Sequence, residues 1–450
     1  MLDIDDLASR ISDRTARGIA GAVSRMITDG SLPAGSRLPT VRAFARFLGV
    51  SPTTVGEAWL ALGRSGGIET RGRIGTFVIG RPSLVAPQRY RDIAEGHGHV
   101  AFDLSAGTPD PDLLPDLGPL LARVSRQTLT TSYLDDPVIP RLDEVLRARW
   151  PFPPEALTVV DGAMDALDRI ATQVIRFGDR VLVENPAFPP LLDLLEQLGA
   201  EAIGLEMDEA GIVPSALDAA LRRQPVALFL QPRAHNPTGW SMAPARAEQL
   251  ALLLRGRSVT IIEDDHAGDI ALSPPVSLGR WLPESTVHIQ GFSKSHGPDL
   301  RLAAVGGAAG PIERAVTRRL LGPGWSSRLL QMVLFELLTD PAAVDRIADA
   351  AQAYAVRRAR IVAALADRGV TTTGTDGINL WVEVAHERSA LVTLASRGVG
   401  VAPGTPFLLS PLATEHIRIT ISTMRGDLSP LIGHLAMAAT GPRPNARLRR

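Results

Sequence analysis

TVHIQGFSKSHGPDLRL, residues 286–302, is the stretch that decides how this chain reads. Thr286–Gly291 is a short apolar run of strand type, and a loop broken by glycine and proline follows it. Upstream, RVLVE (Arg180–Glu184), VALFLQ (Val226–Gln231) and VTIIED (Val259–Asp264) have the same character, and helical patterns separate them. Buried strands alternating with helices predict an α/β fold with a mainly parallel sheet from about Ala101 onward. Such sheets bind ligands at the carboxyl ends of their strands. That is where the loop carries Lys294.

Lys294 is also a compositional oddity. It is the only lysine among 47 basic residues, the others being arginine. A guanidinium does most of the surface work of an ammonium, but it does not deprotonate, so it cannot form an imine with an aldehyde. Composition alone leaves two readings open: a chance survivor on a solvated face, or an amine kept for its chemistry.

The remaining composition sets bounds. A chain of 450 residues, 45% hydrophobic and 21% charged, has material for two or three domains. A formal net charge of -1 gives it no global polyelectrolyte character. The absence of cysteine excludes disulfides, cysteine-ligated zinc and thiol catalysis. The start, MLDIDDLASR, does not have the form of a secretory signal, and no run of 18 apolar residues occurs. A soluble, cytoplasmic protein without membrane contact is expected.

The first 80 residues differ from the rest. Between Arg14 and Arg81 there are ten arginines against three acids (Asp29, Glu57, Glu69), a local net of +7. Helical spacing predicts a helix over Ala16–Thr28, a second over Thr40–Leu48 ending at Gly49, and a third from Pro52 to Arg64 with Ser51 as its cap. Ile68–Thr70 and Thr76–Ile79 flank a Gly/Arg turn and read as a hairpin. Helix, helix-turn-helix and hairpin is the order of a winged helix. A recognition helix enters the major groove by its N-terminal end. The candidates to meet DNA there are Ser51, Thr53 and Thr54, with Arg37 and Arg42 reaching phosphate and Arg71 and Arg73 on the wing. The matches Gly35, Leu38, Pro39, Arg42, Leu48 to Val50, Thr53 to Val55 and Gly72 to Phe77 resemble the GntR-type winged helix family. Pro52 and Gly56 stand in a stretch where that family often carries an arginine. The alternative is a small interaction module with an incidental basic face.

The domain boundaries expected are 12–80 for this head, 81–100 for a linker without periodicity and 101–330 for the large domain. A small subdomain follows over 331–440, and a basic tail, expected to be disordered, over 441–450.

Around Lys294 the large domain carries a set of groups that suits a phosphorylated pyridine. Ser293 and Arg301 can hold a phosphate, as can the free N–H groups of Ala163 and Met164 at the helix start in VVDGAMDAL. Asp264, ending a strand, can keep a pyridine nitrogen protonated. Asn236 in PRAHNPTG can donate to a ring hydroxyl, and Phe188 in ENPAFPP can stack on the ring. Each has a plainer alternative when read singly: a helix cap, a turn former, a core aromatic, a surface ion pair. The order of the motifs DGAMDAL, ENPAF, PRAHNPTG, EDDH, FSKS, LRL and IRIT resembles the fold-type I aminotransferases. Joined to the head, the chain resembles the MocR subfamily of GntR regulators.

That resemblance implies a pyridoxal 5'-phosphate cofactor bound as a Schiff base to Lys294, with Asp264 on the pyridine nitrogen. It implies Asn236 and His266 at the ring hydroxyl, Ser293 and Arg301 at the phosphate, and Arg418 for the carboxylate of an amino-acid-like effector. It further implies a homodimer in which Tyr133 reaches the neighbouring subunit's phosphate. His266 stands where many relatives have tyrosine, and Val138 where glycine is usual. AAVGGAAG (Ala303–Gly310) reads as a tight strand turn, since no lysine follows at the spacing of a phosphate loop. Three functions stay open: a regulator that senses pyridoxal phosphate or an amino compound and binds double-stranded DNA, a working aminotransferase with an accessory head, and a scaffold without cofactor. The fused basic head favours the regulator.

Overall fold

The computed structural model describes residues 4–64, 67–70, 74–79, 88–94, 100–127, 132–133 and 135–441. The chain divides into two compact units, Met1–Ala86 and Pro87–Arg450.

In the first unit, helices Ala16–Thr28, Val41–Leu48 and Pro52–Arg64 are followed by a hairpin of Ile68–Thr70 and Thr76–Val78. Its register sets Ile68 opposite Val78, and Arg37–Leu38 adds a third antiparallel strand. Local chemistry sets the helix ends. Thr15 and Thr40 accept N–H bonds from Gly18 and Ala43 at the first two starts. Gly49, at φ 67°, closes the second helix in the left-handed region that a side chain would strain. Ile19, Val23, Phe44, Leu48, Val55, Trp59 and Val78 are buried together, and Phe44 stacks on Trp59 with centroids 5.5 Å apart. This is a winged helix-turn-helix. A short helix before it, Ile4–Ser9, buries Leu7 in the same core. The reading that began this domain at residue 12 leaves that helix out.

The second unit is built on an eight-stranded sheet. Its order is Ala156–Val160, Ala303–Gly307, Thr286–Gly291, Thr260–Asp265, Ala227–Leu230, Arg180–Asn185, Glu201–Asp208 and Gly211–Ile212. The five strands from Thr286–Gly291 to Glu201–Asp208 are mutually parallel. Ala303–Gly307 is antiparallel to both of its neighbours. The apolar runs are buried on both faces because helices cover both, which is why they lack alternation. A four-stranded antiparallel sheet of Thr372–Thr373, Asn379–Val384, Glu415–Thr420 and Ala402–Pro403 forms the smaller subdomain, with the long helix Pro341–Ala366 before it in the chain. Phe102–Asp103 pairs in parallel with Val399–Gly400. The beginning of this unit is thereby tied to its C-terminal part, a pairing that no local pattern announces.

The segment 81–100, expected as a linker without periodicity, contains the helix Gln88–Ala94. It has seven residues, too short for a periodic signal, and tertiary contacts hold it. The tail beyond Gly441 lies outside the described residues.

Phe44→Ala empties a stacked, fully buried position and is expected to cost the head about 3–5 kcal/mol. Calorimetry should show the head's unfolding transition lost or moved well down while that of the large unit stays in place.

Candidate cofactor and DNA-binding sites

Strand order brings the candidate residues to one edge. Thr260–Asp265 and Thr286–Gly291 are parallel neighbours with Asp264 opposite Ile289, so Asp264 and the loop carrying Lys294 share the carboxyl end. The buried Lys294 Nζ donates to the Gly107 carbonyl at 2.5 Å. Burial, and then the positive Arg418, lower its pKa to about 8, against a smaller opposing pull from Asp264. A fraction of the amine is therefore neutral, and nucleophilic, near physiological pH.

Asp264 is held from one side only. Its Oδ2 accepts from Gln231 Nε2 at 2.8 Å, and its Oδ1 is buried without a partner. Burial raises this carboxyl to about 6. A buried carboxylate with an orphan oxygen fits a protonated pyridine nitrogen, which would supply both a donor and a positive charge. Phe188, at the start of helix Pro189–Gln197, lines the same small cavity as Asp264 and Gln231.

The phosphate side also fits. Helix Ala163–Val174 starts after Gly162 with no side chain capping it, so the N–H groups of its first turn, Ala163 and Met164 among them, have no partner within the helix. Arg301 Nη2 reaches the Asp161 carbonyl at 3.4 Å, and a Cβ on Gly162 would sit 3.2 Å from that same nitrogen. Gly162, at φ 104°, thus leaves room for the guanidinium beside the helix start. Ser293 lies half-buried in the Lys294 loop.

His266 Nε2 meets the Ala234 carbonyl at 3.1 Å, and burial lowers the ring's pKa to about 4. A neutral ring that donates there keeps Nδ1 as an acceptor, whereas the tyrosine usual at this position also donates. Asn236 donates its backbone N–H to Gln231 Oε1 at 2.9 Å, and its Oδ1 accepts from Arg418 Nη1 at 3.4 Å.

Arg418 is buried on strand Glu415–Thr420. Its Nη2 donates to the Ser105 carbonyl, its Nε has no partner, and the Phe407 ring lies 5.4 Å from its guanidinium carbon. Burial lowers its pKa to about 10. Among the described residues no carboxylate pairs with it. A buried guanidinium with no carboxylate in contact, offset only by the charge of Asp103 without a direct pair, suits an anionic ligand.

Four residues of this edge escaped the sequence reading: Gln231, Gly107, Ser105 and Phe407. A polar residue closing the apolar run VALFLQ was the available signal for Gln231. The other three meet the site across long chain separations and carry no local signal. Tyr133 is 90% exposed and stacks on Trp325.

In the head, Arg37, Arg42 and Thr53 are exposed. Ser51 Oγ accepts the Thr54 N–H at 3.1 Å and pairs with the Thr54 hydroxyl at 2.8 Å. Those two hydroxyls therefore serve the helix cap, and Thr53 is the outward one of the three. Arg71 and Arg73 lie outside the described residues.

The model of aminotransferase class I and II matches residues 100–435, and that of the bacterial regulatory proteins of the gntR family matches residues 15–78. The chain is 36% identical over 429 residues to the vitamin B6 salvage pathway transcriptional repressor PtsJ of Salmonella typhimurium, covering 92% of this chain and 96% of that protein. The chain belongs to the MocR-type regulators. A further relative, the HTH-type transcriptional regulator TauR of Rhodobacter capsulatus, is 27% identical over 85% of this chain and 88% of its own length. Among solved structures, LysN, an α-aminoadipate aminotransferase of Thermus thermophilus, shares the fold with a TM-score of 0.69 at 21% identity, over 78% of this chain and 94% of its own. As a MocR-type regulator, the chain joins a gntR-family DNA-binding head to a fold-type I domain that takes pyridoxal 5'-phosphate.

Lys294→Ala should abolish the visible absorbance gained when the purified chain is incubated with pyridoxal phosphate. In the wild type the neutral amine is the reactive form. The rate of that gain should therefore rise with pH up to about 8 and level off above, read by stopped-flow absorbance.

Proposed function

We propose that this MocR-type chain is a homodimeric transcription regulator whose large domain reads pyridoxal phosphate and an amino-acid-like carboxylate, and whose heads answer by changing their hold on DNA. The observation that carries the reading is Arg418: a buried guanidinium without a carboxylate partner, whose charge is felt at the buried amine of Lys294. A small amino acid presents both an amine and a carboxylate, the two groups that Lys294 and Arg418 would address. Support for the vitamin as a signal comes from the Salmonella relative, which is a transcriptional repressor of the vitamin B6 salvage pathway.

Bound pyridoxal phosphate supplies an aldehyde that accepts amines and a ring that withdraws electrons. The chain's own residues do the rest. The start of helix Ala163–Val174, Ser293 and Arg301 hold the phosphate. Asp264 Oδ1 takes the ring N–H, Gln231 keeps the other carboxylate oxygen in place, and Phe188 covers a ring face. Asn236 and His266 address the ring hydroxyl. Lys294 presents its amine, partly neutral because it is buried, and Arg418 selects ligands with a carboxylate. Tyr133 of each protomer completes the partner's phosphate site.

In the head, Arg37 and Arg42 bind phosphates, Thr53 faces base edges, and Arg71 and Arg73 belong to the wing. Ser51 and Thr54 order the start of the recognition helix. A dimer presents two heads and reads a two-part operator with half-sites spaced by the helical repeat.

A second reading, turnover as an aminotransferase, draws on one observation: Lys294, Asp264 and Asn236 are all present at one sheet edge. The fused head favours regulation over it. Titrating a labelled operator fragment, selected from random duplexes, with and without pyridoxal phosphate and then with a panel of amino acids decides between the two. The regulator reading requires specific DNA binding that these ligands shift. Sustained transamination without specific DNA binding would replace it with the enzyme. Arg42→Ala should weaken DNA binding about tenfold, mostly at low salt, and leave the cofactor band unchanged.

A further inference from the structure

We infer that two stretches near the start of the large domain, 88–94 and 100–108, are the relay by which occupancy of the cofactor site is reported within that domain. This rests on the pyridoxal phosphate reading above. The two stretches are held at three places, each belonging to an element that carries site residues.

The first hold is a buried carboxylate. Asp193 accepts from the backbone N–H groups of Arg89, at 3.4 Å, and Tyr90, at 3.2 Å, and from the Arg89 guanidinium at 3.2 Å. Glu196 takes the same guanidinium at 2.7 Å. Asp193 thus satisfies N–H groups at the start of helix Gln88–Ala94, which no residue inside that helix can reach. It belongs to helix Pro189–Gln197, whose cap residue is Phe188.

The second hold is apolar. Ile93 is buried in a cluster with Trp381, Ala402 and Phe407, and Phe407 is the ring against the Arg418 guanidinium. The third is the most direct. The Ser105 carbonyl accepts from Arg418, and the Gly107 carbonyl accepts from Lys294.

That third hold uses the donors a ligand needs. A carboxylate brought to Arg418 competes with the Ser105 carbonyl, and the charge-assisted bond is roughly twice as strong as one to a neutral acceptor. When the Lys294 ammonium condenses with the aldehyde of pyridoxal phosphate, the C=N bond replaces C=O. Two of its hydrogens leave with the carbonyl oxygen as water, and the third stays on nitrogen with the charge. Two of the three N–H donors are then gone and the one that remains is fixed by the C=N bond, so the Gly107 carbonyl is held less firmly. Each ligand therefore favours a released segment over a docked one, which is the differential interaction a switch requires. Phe407, which lies against Arg418 and packs with Ile93, is the described contact by which a change at Arg418 reaches helix Gln88–Ala94.

Hydrogen exchange read by mass spectrometry on the full-length chain tests this, with the chain alone, with pyridoxal phosphate, and with pyridoxamine phosphate, which has the same phosphate and ring but no aldehyde. Pyridoxal phosphate is expected to speed exchange in 100–108 and in 88–94 by about five- to tenfold, the worth of one hydrogen bond. Pyridoxamine phosphate should do much less. Asp193→Asn and the milder Arg89→Ala should keep the cofactor band, leave 88–94 fast under all conditions and remove its response. The relay is overturned if the band forms while exchange in both stretches stays unchanged, or if pyridoxamine phosphate acts as strongly as pyridoxal phosphate. Absence of any band has a separate signature and would overturn the cofactor reading, and the relay with it.

Discussion

Burying an amine next to a guanidinium is the constraint that organises the large unit of this regulator. Neither cation has a carboxylate in direct contact among the described residues; Arg418 is buried and Lys294 partly so. Their hydrogen bonds go to the backbone carbonyls of Gly107 and Ser105 and, from Arg418, to the side chain of Asn236. Two consequences follow from the same desolvation. The amine of Lys294 gives up its proton more readily, and Arg418 stays hungry for an anion. A site arranged in this way is stable enough to fold while remaining under-satisfied, which is the condition for responding to a ligand.

Asp264 shows the same principle with the opposite sign. Gln231 saturates one of its oxygens and leaves the other buried and open. Without a cationic partner the carboxyl drifts toward its neutral form, and a pyridine N–H would draw it back to the anion. Arg418 comes from the antiparallel sheet of the smaller subdomain, and the other two incomplete charges, Lys294 and Asp264, stand at the carboxyl ends of parallel strands. Parallel strands make this possible, because they place their carboxyl ends side by side and leave the connecting loops free to carry chemistry.

The head works by a different balance. Its core is a small apolar cluster around Phe44 and Trp59, and its surface charge comes from exposed arginines such as Arg37 and Arg42. Among its described residues no buried side-chain polar atom lacks a partner as Arg418 Nε does. Its helix starts are capped by Thr15, Thr40 and Ser51, so its geometry is set locally. This is suited to a module that reads DNA by fixed shape while the variable step lies elsewhere in the chain.

The difference between local and distant constraints also divides what could be read from residues alone. Helices Ala16–Thr28 and Pro52–Arg64, the hairpin after them and the strand Thr286–Gly291 stand where periodicity and capping put them, since those signals act within a few residues. The identity of Lys294 as the chain's one lysine, and the motifs flanking it, pointed to a pyridoxal phosphate site before any coordinates. The helix Gln88–Ala94 was illegible because Asp193, about a hundred residues further on, holds its start. The carbonyls of Ser105 and Gly107 were illegible because a backbone oxygen has no letter in a sequence. The sequence by itself determined which chemistry is available: one amine, one ring partner, one anion receptor and a basic head. Only the tertiary structure decided which of their hydrogen bonds are complete and which are left open, because desolvation and partner geometry come from the whole fold and not from any one segment.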